Sequence, residues 1–363
     1  MGDPDDVLRS GLGPPAPTYT AVAAQVTRGG AVVHRAVIGD AVVTRDERIP
    51  LWDSALWDLA SLTKVVGTTA AMMALTTSGE VALDDPLSRF GPSPDPAITL
   101  RHLLTHRAGL AEWQPLYLGA TGRAACAALV PRLPLRYAVG AGRHYSDLGL
   151  VLVGGIVERV TGHRLDVAVR ELVTDPLLLD ATGYGPVAAG AAVACGHGDD
   201  IERAMIRDDE PYPVTLDAVR SAPTAGWRES VVRGQVSDGN AYHAMESVSG
   251  HAGLFSTLDD LAHFGAALVG ESPTWSGQVR DAFLTPGQDG QAVGFWWRDL
   301  GHGPGFFHPG FTGTRLLVDP ARDIVAVLLT NRLHVMPPGA RVGPDLGPLW
   351  DAYLHATGVL PRD

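Results

Sequence analysis

The sequence predicts an α+β fold, in which an antiparallel sheet is flanked by helices and interrupted by a mainly helical insertion. Apolar and β-branched stretches, which are typical of paired strands, occur near both ends of the chain. The middle is helical and loop-like, with many Pro and Gly residues. We therefore expect one sheet built from N- and C-terminal segments. The expected parts are a loose N-terminal arm (1–17), a discontinuous sheet domain (18–85 and 270–363) and an inserted helical domain (86–269).

The first expected elements are a hairpin and a buried helix. Apolar and β-branched residues dominate 20–26 and 31–38, and the intervening Arg28-Gly29-Gly30 is a turn signal. The stretch 60–77 is rich in Ala, Met, Val and Leu and is followed by Gly79. This pattern predicts a buried helix that ends at a glycine.

Four further helices and a second hairpin follow. Apolar patterning predicts helices at 99–106 (capped by Thr99), 148–160, 259–269 and 349–355. Strands are predicted at 314–318 and 324–330, joined by a segment with the composition of a turn. We expect a substrate cleft at the seam between the sheet and the insertion.

Composition narrows the function classes. The formal net charge of −12 and the lack of Lys or Arg blocks argue against a nucleic-acid partner. No apolar run approaches 18 residues, so we expect no membrane span, and the acidic start at 1–6 does not resemble a secretory signal. Cys126 and Cys195 fit neither a disulfide framework nor a zinc site and are expected to be inert, buried thiols. The expectation is a cytoplasmic enzyme for a small molecule, without metal or cofactor; the oligomeric state is left open.

The first candidate catalytic pair is Ser61 and Lys64. Residues three apart share a helix face, so the two side chains can approach within hydrogen-bonding distance. A serine hydroxyl is a weak nucleophile until a base takes its proton. A lysine shielded from water loses some preference for its charged form and can be that base. Ser-x-x-Lys alone is weak evidence, because it occurs by chance in many helices.

The longer run Asp58-Leu59-Ala60-Ser61-Leu62-Thr63-Lys64 resembles the active-site helix of the class C β-lactamase and penicillin-binding-protein-like serine hydrolases. The stretches 98–106, 249–257 and 331–332 are similar to further segments of that family. The resemblance extends over roughly residues 19–335 and implies a β-lactamase/transpeptidase-like fold. It also implies an acyl-enzyme on Ser61, formed with the help of Lys64.

Tyr145-Ser146-Asp147 is similar to the family's Tyr-x-Asn element, which implies that Tyr145 is the second member of the proton-transfer pair. Aspartate stands where asparagine is usual. Asp147 can accept a hydrogen bond from Lys64, but it cannot donate an amide N–H to a substrate, which argues against ordinary β-lactam recognition. The alternative is that Ser146 or Asp147 only caps the following helix.

The segment 308–314 resembles the family's Lys-Thr-Gly strand in its His-x-Gly form. The resemblance implies that the backbone N–H groups of Ser61 and Phe311 form an oxyanion hole. It also implies that the substrate is bound by Asp147, His308, Gly310 and Thr312. A packed structural role is the alternative for His308.

Several other residues invite a functional interpretation but are predicted to be structural. His106 and His251 are expected in scaffold roles rather than as metal ligands. The segment 196–200 could bind a cation, but its composition favours a solvated loop. The tryptophans Trp113, Trp296 and Trp297 could line an acyl pocket, although core packing is slightly preferred.

Three functions remain open at this point: a hydrolase acting on an ester or amide, a biosynthetic transacylase that passes the acyl group to an amine or alcohol, and an inactive ligand-binding relative.

Overall fold

The structure is a computed structural model that describes residues 2–13, 17–216, 226–337 and 343–361. Its strands are β1 Ala21–Arg28, β2 Ala31–Val43, β3 Arg48–Pro50, β4 Trp57–Asp58, β5 Gly183–Tyr184, β6 Ala194–His197, β7 Val231–Arg233, β8 Leu254–Ser256, β9 Trp296–Asp299, β10 Pro304–Pro309, β11 Arg315–Asp319 and β12 Ile324–Thr330. Its α-helices are α1 Pro4–Ser10, α2 Ala70–Thr77, α3 Leu100–Leu104, α4 Arg123–Leu129, α5 Asp147–Thr161, α6 Leu165–Val169, α7 Asp200–Asp208, α8 Gly239–Ala244, α9 Leu258–Val269, α10 Gly277–Phe283 and α11 Gly347–Ala356.

The main sheet has seven strands in the order β3-β2-β1-β12-β11-β10-β9, and all its pairs are antiparallel. At its centre β1 pairs with β12, with Ala24 opposite Leu328. The N- and C-terminal segments therefore share one sheet, and the predicted fold class is confirmed. The sequence did not predict β9 and β10, nor the short strands β5 to β8 inside the helical region.

Each face of the sheet is covered by a different core. Successive side chains of a strand point to opposite faces. Along β12, Val325, Val327 and Leu329 belong to the core shared with α2, α5 and α9. Ile324, Ala326 and Leu328 belong to a second core with α1 and α11. Because both faces are buried, β12 has an uninterrupted apolar sequence.

The predicted buried helix at 60–77 is one continuous helical segment of changing pitch. Residues 60–62 form a 3-10 turn, 64–69 a π-helix and 70–77 α2. Gly79 follows with φ +80°, a left-handed conformation that favours glycine. The segment is almost wholly buried, which fixes the side chains at its start.

The prediction of a loose arm at 1–17 is wrong for residues 4–10. They form α1, which is capped by Asp3, packs against α11 and buries Leu8 completely. The Gly, Pro and Asp residues of the segment suggested a loose arm, but the burial of Leu8 in the second core holds the helix against the sheet. Residues 14–16 lie outside the described residues. The boundaries of the sheet domain and the insertion stay a prediction.

Two smaller expectations concern the membrane and the thiols. In the part of the chain that the structure describes, no helix is long and apolar enough to cross a membrane. Cys126 and Cys195 are both buried and free, as predicted.

Candidate active site

The turn before Ser61 is held from two directions. Asp58, at the end of β4, is buried, and its carboxylate accepts the backbone N–H of Ala60 at 2.9 Å and that of Ser237 at 2.6 Å. Ala60 has φ +46°, an unfavourable region for a residue with a Cβ. Burial raises the pKa of Asp58 to about 6, against the opposing effect of these two N–H groups. The carboxylate therefore stabilises a strained turn directly ahead of the candidate nucleophile.

The second anchor of this turn comes from the loop between β10 and β11. The hydroxyls of Thr312 and Thr314 donate to the carbonyls of Asp58 at 2.9 Å and Leu59 at 3.0 Å. A Cβ on Gly310 would lie 2.6 Å from the Leu59 carbonyl oxygen, so only glycine allows this approach. Thr312 is buried and its hydroxyl is occupied, which argues against the predicted substrate contact of its side chain.

Lys64 lies one helical turn from Ser61, and its buried amine is surrounded by acceptors. Nζ donates to Ser61 Oγ at 2.7 Å and to the His251 carbonyl at 3.1 Å. It also forms an ion pair with Asp147 Oδ1 at 2.8 Å. The Tyr145 hydroxyl interacts with both Ser61 and Lys64. The structure thus brings together the four polar side chains that the sequence singled out.

The charge state of Lys64 differs from the expectation. Burial lowers the pKa of Lys64, but the attraction of the Asp147 carboxylate opposes it, and the pKa is raised. Burial likewise raises the pKa of Tyr145, and the nearby ammonium of Lys64 only partly offsets this. The resting site therefore holds an ammonium and a neutral phenol. Burial thus acts on Lys64 in the expected direction, but the ion pair with Asp147 opposes it.

The two interpretations of the Tyr145-Ser146-Asp147 element apply to different residues. Ser146 is the cap of α5: its hydroxyl accepts the Gly149 N–H at 3.3 Å and donates to the Ala111 carbonyl at 2.6 Å. Asp147 is left free to face Lys64.

His308 lies behind Tyr145, with the two ring centroids 5.9 Å apart, and it is only 1% exposed. Burial, assisted by the charge of Lys64, lowers the pKa of His308 to about 3, so the ring is neutral. Its Nδ1 is 2.8 Å from the Pro309 carbonyl oxygen and must donate to it, which makes Nε2 the acceptor. No described residue donates to that Nε2. His308 is absent from the lining of the cavity at Ser61, so its position fits the packed alternative better than the predicted substrate contact.

The other two histidines have the scaffold contacts that were predicted. His106 Nδ1 accepts the Ser146 N–H at 3.0 Å, and its ring packs 4.5 Å from that of Tyr145. His251 bridges Ser249 and Asp238, at 2.7 and 3.0 Å.

A cavity of about 240 Å³ opens onto Ser61. Trp113 and Phe311 line it, whereas Trp296 packs on Tyr145 and His308 outside it. The segment 196–200 also lines the cavity. Its prediction as a solvated loop is wrong in part, because 196–197 end β6, α7 begins at Asp200, and Asp199 is buried. The full lining is Ala60, Ser61, Trp113, Tyr145, Asp147, Gly196, His197, Gly198, Asp199, Asp200, Ile201, Glu202, Met205, Tyr212, Ser237, Asp238, Ala252, Phe311, Leu333, Met336 and Pro337.

Acidic side chains line the wall of this cavity, and sequence reasoning missed two of them, Glu202 and Asp238. Asp199 is held by Arg228 and His243; these partners outweigh burial and lower the pKa of Asp199 to about 2. Burial raises the pKa of Glu202, whose two oxygens accept from the Tyr117 hydroxyl and the Gly239 N–H, each at 2.6 Å. For Asp238, burial is outweighed by His251, and the pKa is lowered. No local motif marks these residues.

Asp147, Asp238 and His251 place one polar atom each within 4.8 Å of one another, as metal ligands would. The Lys64 ammonium, 2.8 Å from Asp147, already supplies positive charge there. The donor set is therefore a poor fit for a divalent cation.

The fold and the sequence motifs define an enzyme of the SxxK serine hydrolase class. The sequence model of the family described as Beta-lactamase matches residues 16–344, and the chain belongs to this family. A putative D-alanyl-D-alanine carboxypeptidase of Escherichia coli (strain K12) is 30% identical over 94% of this chain and 83% of the relative.

Two solved structures show the same fold. The D-amino acid amidase of Ochrobactrum anthropi SV3, complexed with L-phenylalanine, matches with a TM-score of 0.70 at 19% identity, covering 98% of this chain and 97% of that one. The class C β-lactamase of Rhodobacter sphaeroides matches with a TM-score of 0.69 at 16% identity, covering 98% of each chain.

Proposed function

We propose that this enzyme hydrolyses a small ester or amide through an acyl-enzyme on Ser61. The observation that carries the proposal is the 2.7 Å hydrogen bond between Ser61 Oγ and Lys64 Nζ, beside the hydroxyl of Tyr145. Ser61 Oγ attacks the carbonyl carbon while its proton passes to the Lys64–Tyr145 pair once that pair has lost a proton. The same pair then protonates the leaving alcohol or amine as the bond to it breaks. Water repeats the sequence in the second half-reaction and releases the acid.

The developing oxyanion is stabilised by the backbone N–H groups of Ser61 and Phe311, as the family resemblance implies. Both residues line the cavity, and the anchors from Thr312 and Thr314 fix the two backbones relative to each other. His308, neutral and packed behind Tyr145, keeps the phenol in place.

The cavity volume of about 240 Å³ suits a small substrate rather than a polymer. The similar proteins named for a carboxypeptidase and an amidase support amide or ester chemistry. Asp147 lacks the amide N–H of an asparagine, so we propose that lactams are poor substrates. The cytoplasmic location stays a prediction of the sequence.

The test is covalent labelling. Treatment with a fluorophosphonate should add one adduct mass to the wild-type chain, located at Ser61 by peptide mapping, and none to Ser61→Ala. If no acylating probe labels the wild type, the protein is a ligand-binding relative and the proposal is wrong. Product analysis with a p-nitrophenyl ester then compares release of free acid with and without an added amine. Predominant amide product would identify a transacylase instead of a hydrolase.

A further inference from the structure

Two carboxylates face each other in the cavity next to the reacting groups. Asp147 stands at the start of α5 and Asp238 at the N-cap of α8, and both line the cavity with Ser61. One carboxylate oxygen of each lies within 4.8 Å of the other. Asp147 Oδ1 is 2.8 Å from Lys64 Nζ, which is itself 2.7 Å from Ser61 Oγ.

Each carboxylate uses only one of its oxygens in the protein. Asp147 Oδ1 contacts Lys64, and Asp238 Oδ1 accepts from the Ala241 N–H at 2.8 Å and from His251 Nε2 at 3.0 Å. No described residue donates a hydrogen bond to Oδ2 of either side chain. A carboxylate oxygen that faces a cavity without a donor is a free acceptor.

Each carboxylate has one nitrogen partner, Lys64 Nζ for Asp147 and His251 Nε2 for Asp238. A carboxylate accepts more than one hydrogen bond, so a primary ammonium with three N–H donors can bridge the two remaining oxygens.

The rest of the described lining contains no Lys or Arg side chain. Its acidic residues Asp199 and Asp200 are already paired, with Arg228 and Arg203 respectively. A substrate carboxylate would therefore find no cationic partner among the described lining residues, whereas an ammonium is attracted.

We propose that Asp147 and Asp238 bind a primary ammonium group on the acyl part of the substrate, so that the enzyme selects aminoacyl esters or amides. This inference rests on the proposed function, because it assigns the substrate class of the same site. The aspartate at position 147 is central to it. An asparagine there would offer a donor to a carbonyl, while the aspartate offers an acceptor to an N–H. The distances place the ammonium within a few bonds of the scissile carbonyl, as the α- or β-amino group of the acyl residue.

The test compares alanine p-nitroanilide with its N-acetyl derivative, each in the D and the L form. The enzymatic rate for each compound is divided by the rate of its alkaline hydrolysis without enzyme. This corrects for the intrinsic activation of the carbonyl by a neighbouring α-ammonium. In the wild type, kcat/KM for the free amine should exceed that of the acetyl derivative by at least about tenfold for one enantiomer, the discrimination expected of one ion pair. Asp238→Asn should reduce this ratio to near one, mainly through KM. The exposed Asp46→Asn is the matched control and should leave the ratio unchanged.

A wild-type ratio near one, or a ratio that Asp238→Asn does not change, overturns the inference. If Asp238→Asn does not fold, the wild-type ratio measured against pH decides: it must fall as the substrate amine loses its proton, and a constant ratio refutes the inference. Preserved fluorophosphonate labelling of Ser61 without amine preference would overturn only this inference. Absence of labelling would overturn the proposed function.

Discussion

Replacing Asp147 with asparagine should make Lys64 a stronger candidate base at neutral pH. The carboxylate oxygen and Nζ are 2.8 Å apart. Their attraction is about 1.5 kcal/mol with the dielectric constant of water and about 6 kcal/mol with an effective value of about 20. At about 1.4 kcal/mol per pKa unit, its loss should lower the pKa of Lys64 by about 1 to 4 units. Burial, which already lowers this pKa, is then no longer opposed by Asp147.

The assay is the pH dependence of kcat/KM for p-nitrophenyl acetate, a neutral substrate without an amine. If the deprotonated Lys64–Tyr145 pair accepts the Ser61 proton, the acidic limb of the profile reports the titration of that pair. In Asp147→Asn this limb should move to lower pH by at least about one unit. Asp46→Asn serves as the control and should retain the wild-type profile. A limb that stays at the wild-type pH would refute the assignment of Lys64 as part of the base.

Three further predictions concern Tyr145, Gly310 and Asp58. Tyr145→Phe removes the hydroxyl that relays the proton, so kcat for an ester should fall about 10²- to 10⁴-fold, with a melting temperature close to that of the wild type; retained activity would contradict the role. Gly310→Ala places a Cβ against Thr314 Oγ1 and the Leu59 carbonyl, so urea unfolding should show a loss of about 1–3 kcal/mol; an unchanged midpoint would contradict it. The folded pKa of Asp58, about 6, lies above the unfolded value, so the folded state takes up a proton and stability rises as pH falls from about 6 to about 4. Asp58→Asn should lack this pH-dependent contribution, so the difference in melting temperature between wild type and variant should change between about pH 6 and about pH 4. A difference in melting temperature that is constant with pH would contradict the prediction.

Local patterns made part of the fold predictable. The hairpin around Arg28-Gly29-Gly30 and the strand pair β11–β12 combine β-branched runs with clear turn residues, and both were found within a few residues of their bounds. The strands β9 and β10 were missed. Their sequences contain tryptophans, a glycine and prolines, and no alternation marks them. β9 is the edge strand of the sheet, and β10 lies between it and β11. Pairing with neighbours, rather than local propensity, determines these two strands.

In the active site, too, local patterns predicted some residues, whereas others are brought in only by tertiary packing. Ser61 and Lys64 are three residues apart, so helix geometry alone predicted their contact, and Tyr145 followed from the family resemblance. Asp238 and Glu202 reach the cavity only through tertiary packing. No spacing in the sequence connects them to Ser61, and a single aspartate or glutamate carries no motif.

The contacts that hold the turn before Ser61 also determine when, during synthesis on the ribosome, Ser61 becomes reactive. The hydroxyl that holds the Asp58 carbonyl belongs to a residue 254 positions further along the chain, and the central partner of β1 is β12. A ribosome that has released Ser61 has therefore not yet made the groups that hold it in position. A nascent chain should remain unreactive toward acylating compounds until almost all of it has emerged, so the reactive serine is latent throughout most of translation.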